Sequence, residues 1–250
     1  MSAPRVLVPD VDPLEVTLPA EEAHHVAHVL RLEAGDPLIV FDGAGHEWDA
    51  RIVAVSKREV VVAIEQGRTP VMEPATRVTL AIGLLKGQAM DEVVRDATAL
   101  GVASIVPMST AHCAVPKRAR GDDTPDKIER WQRIAVASAK QCGRAMLPTF
   151  SAVTPFMDVL RTPAELKLIC LEPVFPGVGI ETTPMAMPYS AVVLVGPEGG
   201  WSSGEVAAAR LAGFRGLQLG ALTLRAELAP TVALSQLWAA LSLSDAPDRR

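Results

Sequence analysis

Ala191-Val-Val-Leu-Val-Gly-Pro-Glu-Gly-Gly-Trp-Ser-Ser-Gly-Glu205 is the stretch that decides how this chain is read. Its Val-rich opening is a short apolar run, the pattern of a parallel strand buried on both faces. A glycine-rich turn follows, from Gly196 to Gly200. Ser202 and Glu205 have capping-box spacing, so a helix begins there. Strand, glycine loop and helix together build a ligand site at the carboxyl edge of an α/β sheet. Glu198 sets the chemistry of that site. A phosphate-binding loop presents bare N–H groups and no anion. A carboxylate in the loop repels phosphate and favours hydroxyls, amines or a cation. The loop therefore reads as a site for a nucleoside-type ligand without a phosphate tail, against the plainer reading of a tight turn with an exposed acid.

A second loop lies downstream. Phe214-Arg-Gly-Leu-Gln-Leu-Gly220 reads as a short strand ending in glycine. Ala221-Leu-Thr-Leu-Arg-Ala-Glu227 comes next, then an apolar segment with Val232, Leu234, Leu237, Trp238 and Leu241 at helical spacing. Pro230 suits the first turn of that helix. Arg225 and Glu227 thus stand at a second strand-to-helix junction. Taken alone they would also suit a surface ion pair, which contributes little.

Outward from these loops, the pattern from Arg77 onward is strands alternating with long helices, the sign of a parallel sheet. Strands are expected at Val78–Ile82, Ser104–Pro107, Leu166–Leu171, Val192–Val195 and Gly216–Leu219. Helices are expected near Gln88–Leu100, Pro125–Cys142, Thr154–Leu160, Ser203–Ala212 and Pro230–Leu243. The N-terminal part differs. Pro37–Phe41, Trp48–Val55 and Val60–Ile64 are strand candidates with turns between them, and Glu21–Leu32 is its one helical segment. A small β-barrel over residues 1–68, a Pro-containing linker over 69–76 and an α/β domain over 77–250 follow from this reading. Gly121–Thr124 reads as a mobile tip.

Composition excludes several classes. In 250 residues nearly half are apolar, which fits a folded globular chain. No apolar run reaches the length of a membrane span, and no signal-peptide core stands at the N-terminus. Three cysteines, Cys113, Cys142 and Cys170, fit neither a disulfide framework nor a zinc pattern, so a cytoplasmic setting is expected. The formal net charge is −5. Residues 1–70 hold six Lys/Arg against twelve Asp/Glu, and the remainder eighteen against seventeen. Neither part carries the broad basic surface of a general nucleic-acid binder. Contact with RNA would have to be local.

The two loops together are where a resemblance emerges. Gly196-Pro-Glu-Gly-Gly200, and Leu219-Gly220 with Leu224-Arg-Ala-Glu227, resemble the RsmE family of ribosomal RNA small-subunit methyltransferases. His24-His-Val-Ala-His-Val-Leu-Arg31, Phe41-Asp-Gly43, Leu85-Lys-Gly-Gln-Ala-Met90, Ala99-Leu-Gly-Val102 and Lys140-Gln-Cys-Gly-Arg144 agree with it, in order, over nearly the whole chain. The resemblance implies a SPOUT-type, trefoil-knotted parallel sheet flanked by helices, preceded by a PUA-like or OB-like barrel. It implies an S-adenosylmethionine (SAM) dependent enzyme that methylates N3 of a uridine in 16S rRNA and works as a homodimer. Four positions depart from the family pattern. Ala226 and Leu228 stand where Thr is usual, Ala99 where a Glu is usual and His112 where an Arg is common. They leave open a ribose 2′-O methyltransferase, or an assembly factor that binds SAM or RNA without catalysis.

Candidate residues follow. SAM is expected between the loops, held by Leu171, Gly196, Pro197, Glu198, Gly199, Gly200, Leu219, Gly220, Leu224, Arg225 and Ala226, with backbone groups reading the adenine. Uracil N3 becomes nucleophilic only when its proton leaves, so positioning and proton removal are the main tasks. Arg225 is assigned to stabilise charge on the uracil carbonyls and Glu198 to shape the loop or the cofactor edge, with the base unassigned. His24, Arg31, Lys86, Arg133, Lys140 and Arg144 are expected to face RNA. Arg133, Lys140 and Arg144 form one basic stripe, and Gly143 caps the helix so that Arg144 leaves it. Solvated cations would give the same stripe. Lys117, Arg118 and Arg120 offer further phosphate contacts on a loop. His24 and His28 share a helix face without a third ligand, so no metal is expected. The apolar last helix, with Trp238 and Leu241, motivates the homodimer.

Overall fold

The computed structural model describes residues 3–12, 14–56, 59–113, 124–175 and 187–244. Lys117, Arg118, Arg120 and Gly121 lie outside the described residues. The chain divides into two compact units. One runs through Glu73 and also takes in Val136–Leu147. The other comprises Pro74–Ala135 and the chain from Pro148 onward. This division is not collinear with the boundaries drawn from sequence, because the C-terminal half of one long helix packs with the first unit.

In the first unit, strands β1 (Arg5–Leu7), β2 (Glu15–Thr17), β3 (Pro37–Phe41), β4 (Glu47–Val55) and β5 (Val60–Gly67) form one sheet in the order β1-β3-β4-β5-β2. It is a curled half-barrel, antiparallel except where β1 runs parallel to β3. Val6, Leu38, Val40, Ala50, Ile52, Val60 and Val62 point to one side, where Ala23 and Val26 cover them. That is the period-2 alternation of a sheet with one buried face. The expected helix over Glu21–Leu32 is shorter and differently wound. An α-helix, α1 (Ala20–His24), passes into a π-helical turn, His25–Leu30. Arg31 ends it at φ 55°, the one non-glycine residue with positive φ among those described. A π turn places five residues per hydrogen-bonded step, and an apolar spacing pattern does not separate that from an α-helix.

In the second unit the strands are β6 (Arg77–Gly83), β7 (Ser104–Ser109), β8 (Thr149–Phe150), β9 (Thr154–Pro155), β10 (Leu166–Leu171), β11 (Ser190–Val195) and β12 (Arg215–Gln218). The order is β12-β10-β11-β6-β7-β8, with β9 also on β7, and every pairing is parallel. This is the SPOUT-type sheet. Helices α2 (Ala89–Ala99), α3 (Thr124–Cys142), α4 (Phe156–Val159), α5 (Ser203–Leu211) and α6 (Ala229–Ser244) complete the set. Val78, Leu80 and Ile82, with Leu166, Leu168, Ala191, Val193 and Val195, pack against α2, α6 and Trp131. The alternate residues Ala81, Ile169, Leu171, Val192 and Leu194 pack against α5, Phe156, Trp201 and Phe214. Both faces are covered, which is why these strands are continuous apolar runs.

Two expectations shift. Thr154–Leu160 is not one helix, because Thr154 and Pro155 pair with β7 before α4 begins. The last strand starts at Arg215 rather than Gly216. In α6, Leu234, Leu237 and Leu241 are buried in the core of their own chain, and Trp238 Nε1 donates to the Leu100 carbonyl at 2.8 Å. Trp238 and Leu241, the residues that motivated a dimer, therefore cover the sheet of the same chain.

Candidate active site

The site grows from the carboxyl ends of β10, β11 and β12. Trp201 anchors the glycine loop after β11. It is buried, its Nε1 donates to the Cys170 carbonyl at 2.8 Å, and its backbone N–H donates to Glu172 Oε1 at 3.2 Å. Its ring lies so close to Gly196 that an added Cβ would stand 3.1 Å from it. Ser202 and Glu205 form the full capping box of α5, and Glu205 Oε1 also accepts the Ala111 N–H at 2.8 Å. The far side of the loop is as tight. A Cβ on Gly199 would meet His112 Cβ at 2.7 Å, one on Gly200 would meet Glu172 Oε1 at 2.6 Å, and Gly83 abuts the Pro197 ring at the same kind of distance. Gly200 has φ 68°, which glycine adopts freely. Thus the glycines serve close approach of neighbouring segments as well as the turn.

All eleven residues expected to hold the cofactor line one cavity of about 770 Å³. Leu171 and Glu172 line it at the end of β10, and Leu219, Gly220, Leu222 and Thr223 line it from the second loop. Arg225 lines the cavity with its side chain 85% exposed, its nearest acid being Glu227 at 3.9 Å. Its carbonyl accepts the N–H groups of Leu228 and Ala229, which turns the chain into α6. Glu198 Oε1 accepts the backbone N–H of Lys86 at 2.9 Å, tying the glycine loop to the segment after β6. That bond gives Glu198 a loop-shaping task. Sequence reasoning missed Glu172. It is the first polar residue after an apolar parallel strand, a position that points to the carboxyl edge of the sheet.

The cavity suits SAM on two counts. Its wall carries three carboxylates, Glu172, Glu198 and Glu227, against one guanidinium, Arg225, a balance that favours a cationic sulfonium over a phosphate. Gly199 is exposed and Gly196 and Gly200 are half-buried, which leaves loop backbone open on the cavity they line. Cys170, beside Glu172, is fully buried, and burial followed by the Glu172 charge pushes its thiol up to about 12. It is inert as a nucleophile at neutral pH.

The basic residues expected to face RNA divide. His24, Arg31, Lys86 and Arg133 are exposed. The His24 and His28 rings lie 4.8 Å apart. Lys140 and Arg144 are instead engaged by acids of the chain. Lys140 Nζ is bound by both oxygens of Glu22, and Arg144 is 5% exposed with Nε 2.9 Å from each Glu73 oxygen. The heptad spacing located a helix face, but acids far away in sequence neutralise two of its three cations. Gly143 does take positive φ, 83°, and it turns Arg144 into the first unit instead of outward. Among the described residues no group of three or more His, Cys, Asp or Glu is placed to hold a metal, and no helix is long and apolar enough to cross a membrane.

Comparison with known proteins meets this geometry. The model of an RNA methyltransferase domain matches residues 72–238, and that of an RNA methyltransferase PUA domain matches residues 18–65. The ribosomal RNA small subunit methyltransferase E of Synechocystis is 35% identical over 233 residues, 90% of this chain and 73% of the relative. This chain belongs to that family. The small subunit methyltransferase E of Bacillus subtilis is 28% identical over 88% of each chain. Among solved structures, a Legionella pneumophila protein in complex with bound SAM is 32% identical, with a TM-score of 0.88 over 96% of this chain and 98% of its own. The small subunit methyltransferase E of Neisseria gonorrhoeae, bound to S-adenosyl methionine, is 28% identical, with a TM-score of 0.85 over 95% and 98%. Within the methyltransferase E family, then, the cavity between the two loops belongs to a chain whose relatives are solved with SAM.

Proposed function

We propose that this chain methylates N3 of a specific uridine in the 16S rRNA of the small ribosomal subunit, with SAM as methyl donor. The observation that carries the reading is the single cavity that gathers every expected cofactor residue. SAM, when bound, supplies an electrophilic methyl group. The two loops hold it through backbone groups, and Glu198 keeps the glycine loop in register with the Lys86 segment. Arg225, exposed in the cavity lining, is free to swing over a uracil and stabilise negative charge on its carbonyls as the N3 proton passes to solvent water. That lowers the cost of forming the imide anion without a strong base in the site. His24, Arg31, Lys86 and Arg133 supply local RNA contacts, and Lys140 and Arg144 do not.

The working form is a cytoplasmic homodimer. Support for the dimer now rests on α6 as a whole, whose sixteen residues include no charged side chain, rather than on Trp238 and Leu241. The test combines purified protein, labelled SAM and small subunits from a strain lacking the gene, followed by nuclease digestion and mass spectrometry. The expected product is a base-methylated uridine at one site. Label on a ribose would select the 2′-O reading, and no label with intact SAM binding would select the assembly factor. Sedimentation at low micromolar concentration tests the dimer, which a clean 26.5 kDa species would overturn.

A further inference from the structure

The glycine loop that lines the cavity is held from outside it, by the segment that follows β7. His112 belongs to that segment, is exposed and stands outside the cavity wall. Its Nδ1 lies 3.2 Å from the Gly200 carbonyl oxygen. A carbonyl only accepts, so Nδ1 carries a proton and donates, whatever the state of the far nitrogen. The other end of the same peptide is held as well. The Trp201 N–H donates to Glu172 Oε1 at 3.2 Å. The Gly200–Trp201 peptide is thus fixed at its oxygen from the end of β7 and at its nitrogen from the end of β10. In the sheet, β11 and β6 stand between those two strands, so the loop after β11 is suspended from both sides.

His112 is itself placed by a neighbouring bond. Glu205 divides its carboxylate between two tasks. Oε2 accepts the Ser202 N–H at 2.9 Å and the Ser202 hydroxyl at 2.8 Å, which starts α5. Oε1 accepts the N–H of Ala111, the residue before His112, at 2.8 Å. Packing supports the bonds, since a Cβ on Gly199 would stand 2.7 Å from His112 Cβ. The start of α5, the segment after β7 and the glycine loop therefore close on one another. Gly196, Gly199 and Gly200 make the loop entropically costly to hold in one form. A loop already held loses less freedom when a ligand arrives, so such a tether raises ligand affinity. It has no part in bond-making, because the imidazole reaches the loop backbone from outside the cavity wall.

We propose that His112 is a positioning residue, its Nδ1–H holding the Gly200 carbonyl and so keeping the glycine loop set for the cofactor. The proposal rests on the reading of the cavity as the SAM site. It assigns part of the cofactor affinity to a side chain that touches neither cofactor nor substrate.

Calorimetry of the full chain with S-adenosylhomocysteine tests it, together with kinetics on small subunits at varied SAM. His112→Ala removes the donor, and affinity is expected to fall about fivefold, the scale of one net hydrogen bond. KM for SAM is expected to rise by the same factor, with kcat changed by less than about twofold. His112→Asn returns an N–H near the place of Nδ1 and is expected to bind within about twofold of wild type. Unchanged affinity in the Ala variant, or an Asn variant as weak as Ala, would overturn the tether. So would a fall in kcat at unchanged KM, which would put His112 in the chemistry. A readout free of cofactor is the nitrogen NMR spectrum of the imidazole rings in mildly alkaline buffer, with the Ala variant identifying the His112 signals. The Nδ1–H tautomer is expected, and the Nε2–H tautomer would overturn the proposal whatever the ligand does. If the wild-type protein showed the Nδ1–H tautomer and bound no S-adenosylhomocysteine, the SAM reading would fall and only the Gly200 bond would stand.

Discussion

The half-barrel unit and the cavity of the parallel-sheet unit differ in how they hold their charges. In the first, cations are matched by acids distant in sequence. Glu47 is buried between Arg5 and Arg68, Glu22 holds Lys140, and Glu73 holds Arg144. In the second, the cavity wall keeps an Arg225 that extends 85% into solvent. A charged residue in a sequence therefore says little until its partner is known. Paired charges hold a fold together, while unpaired ones at a concave edge are available to a ligand.

The contrast is broken most severely at the glycine loop. Gly199→Val places a side chain where His112 Cβ would be 2.7 Å away and the His112 carbonyl oxygen 2.9 Å away. Either the loop or the segment after β7 must move, and calorimetry should detect no S-adenosylhomocysteine binding at millimolar ligand. Arg225→Ala comes next. It touches no core contact, so the chain should fold and bind cofactor normally. Turnover on small subunits should fall by roughly 10²–10³, the scale of losing one donor that stabilises charge in the transition state. Unchanged turnover would return Arg225 to the status of a surface cation.

Glu73→Ala probes the paired side of the comparison. It deprives the buried Arg144 of its carboxylate, and unfolding stability should drop by about 3 kcal/mol in denaturant titration. Cofactor affinity should stay within a few-fold, since Glu73 and Arg144 belong to the first unit and do not line the cavity. The smallest effect is expected at Arg31. Its left-handed backbone costs an L-residue about 1 kcal/mol that glycine does not incur. Arg31→Gly should therefore hold or slightly raise the melting temperature while lowering activity on small subunits. Arg31→Ala keeps the same backbone cost, so it should leave the melting temperature near wild type while lowering activity. A glycine variant with full activity would show that the residue serves the π turn alone.

Much of this was legible beforehand because it is local. The Val192–Val195 run, the Gly196–Gly200 turn and the Ser202–Glu205 cap are each specified within a few residues, and each stands where sequence reasoning put it. The three-residue strands β1 and β2 were not legible, since their place depends on pairing with β3 and β5 rather than on alternation of their own. The π turn at His25–Leu30 escaped for a related reason. Apolar spacing marks a helix but not its winding.

What the sequence alone determined about this protein is the order of its longer elements, its parallel sheet with two covered faces and the two loops that frame a ligand site. Periodicity, turn chemistry and capping act over a handful of residues, so they are written in the chain. What only the tertiary structure decided is which charges are free. Lys140 and Arg144 share a helical stripe with Arg133, yet Glu22 and Glu73 neutralise them across 118 and 71 positions of sequence. His112 likewise met the Gly200 carbonyl only once one sheet carried both β7 and β11. Electrostatic and hydrogen-bond partners are chosen by distance in space, and one-dimensional order does not encode that distance.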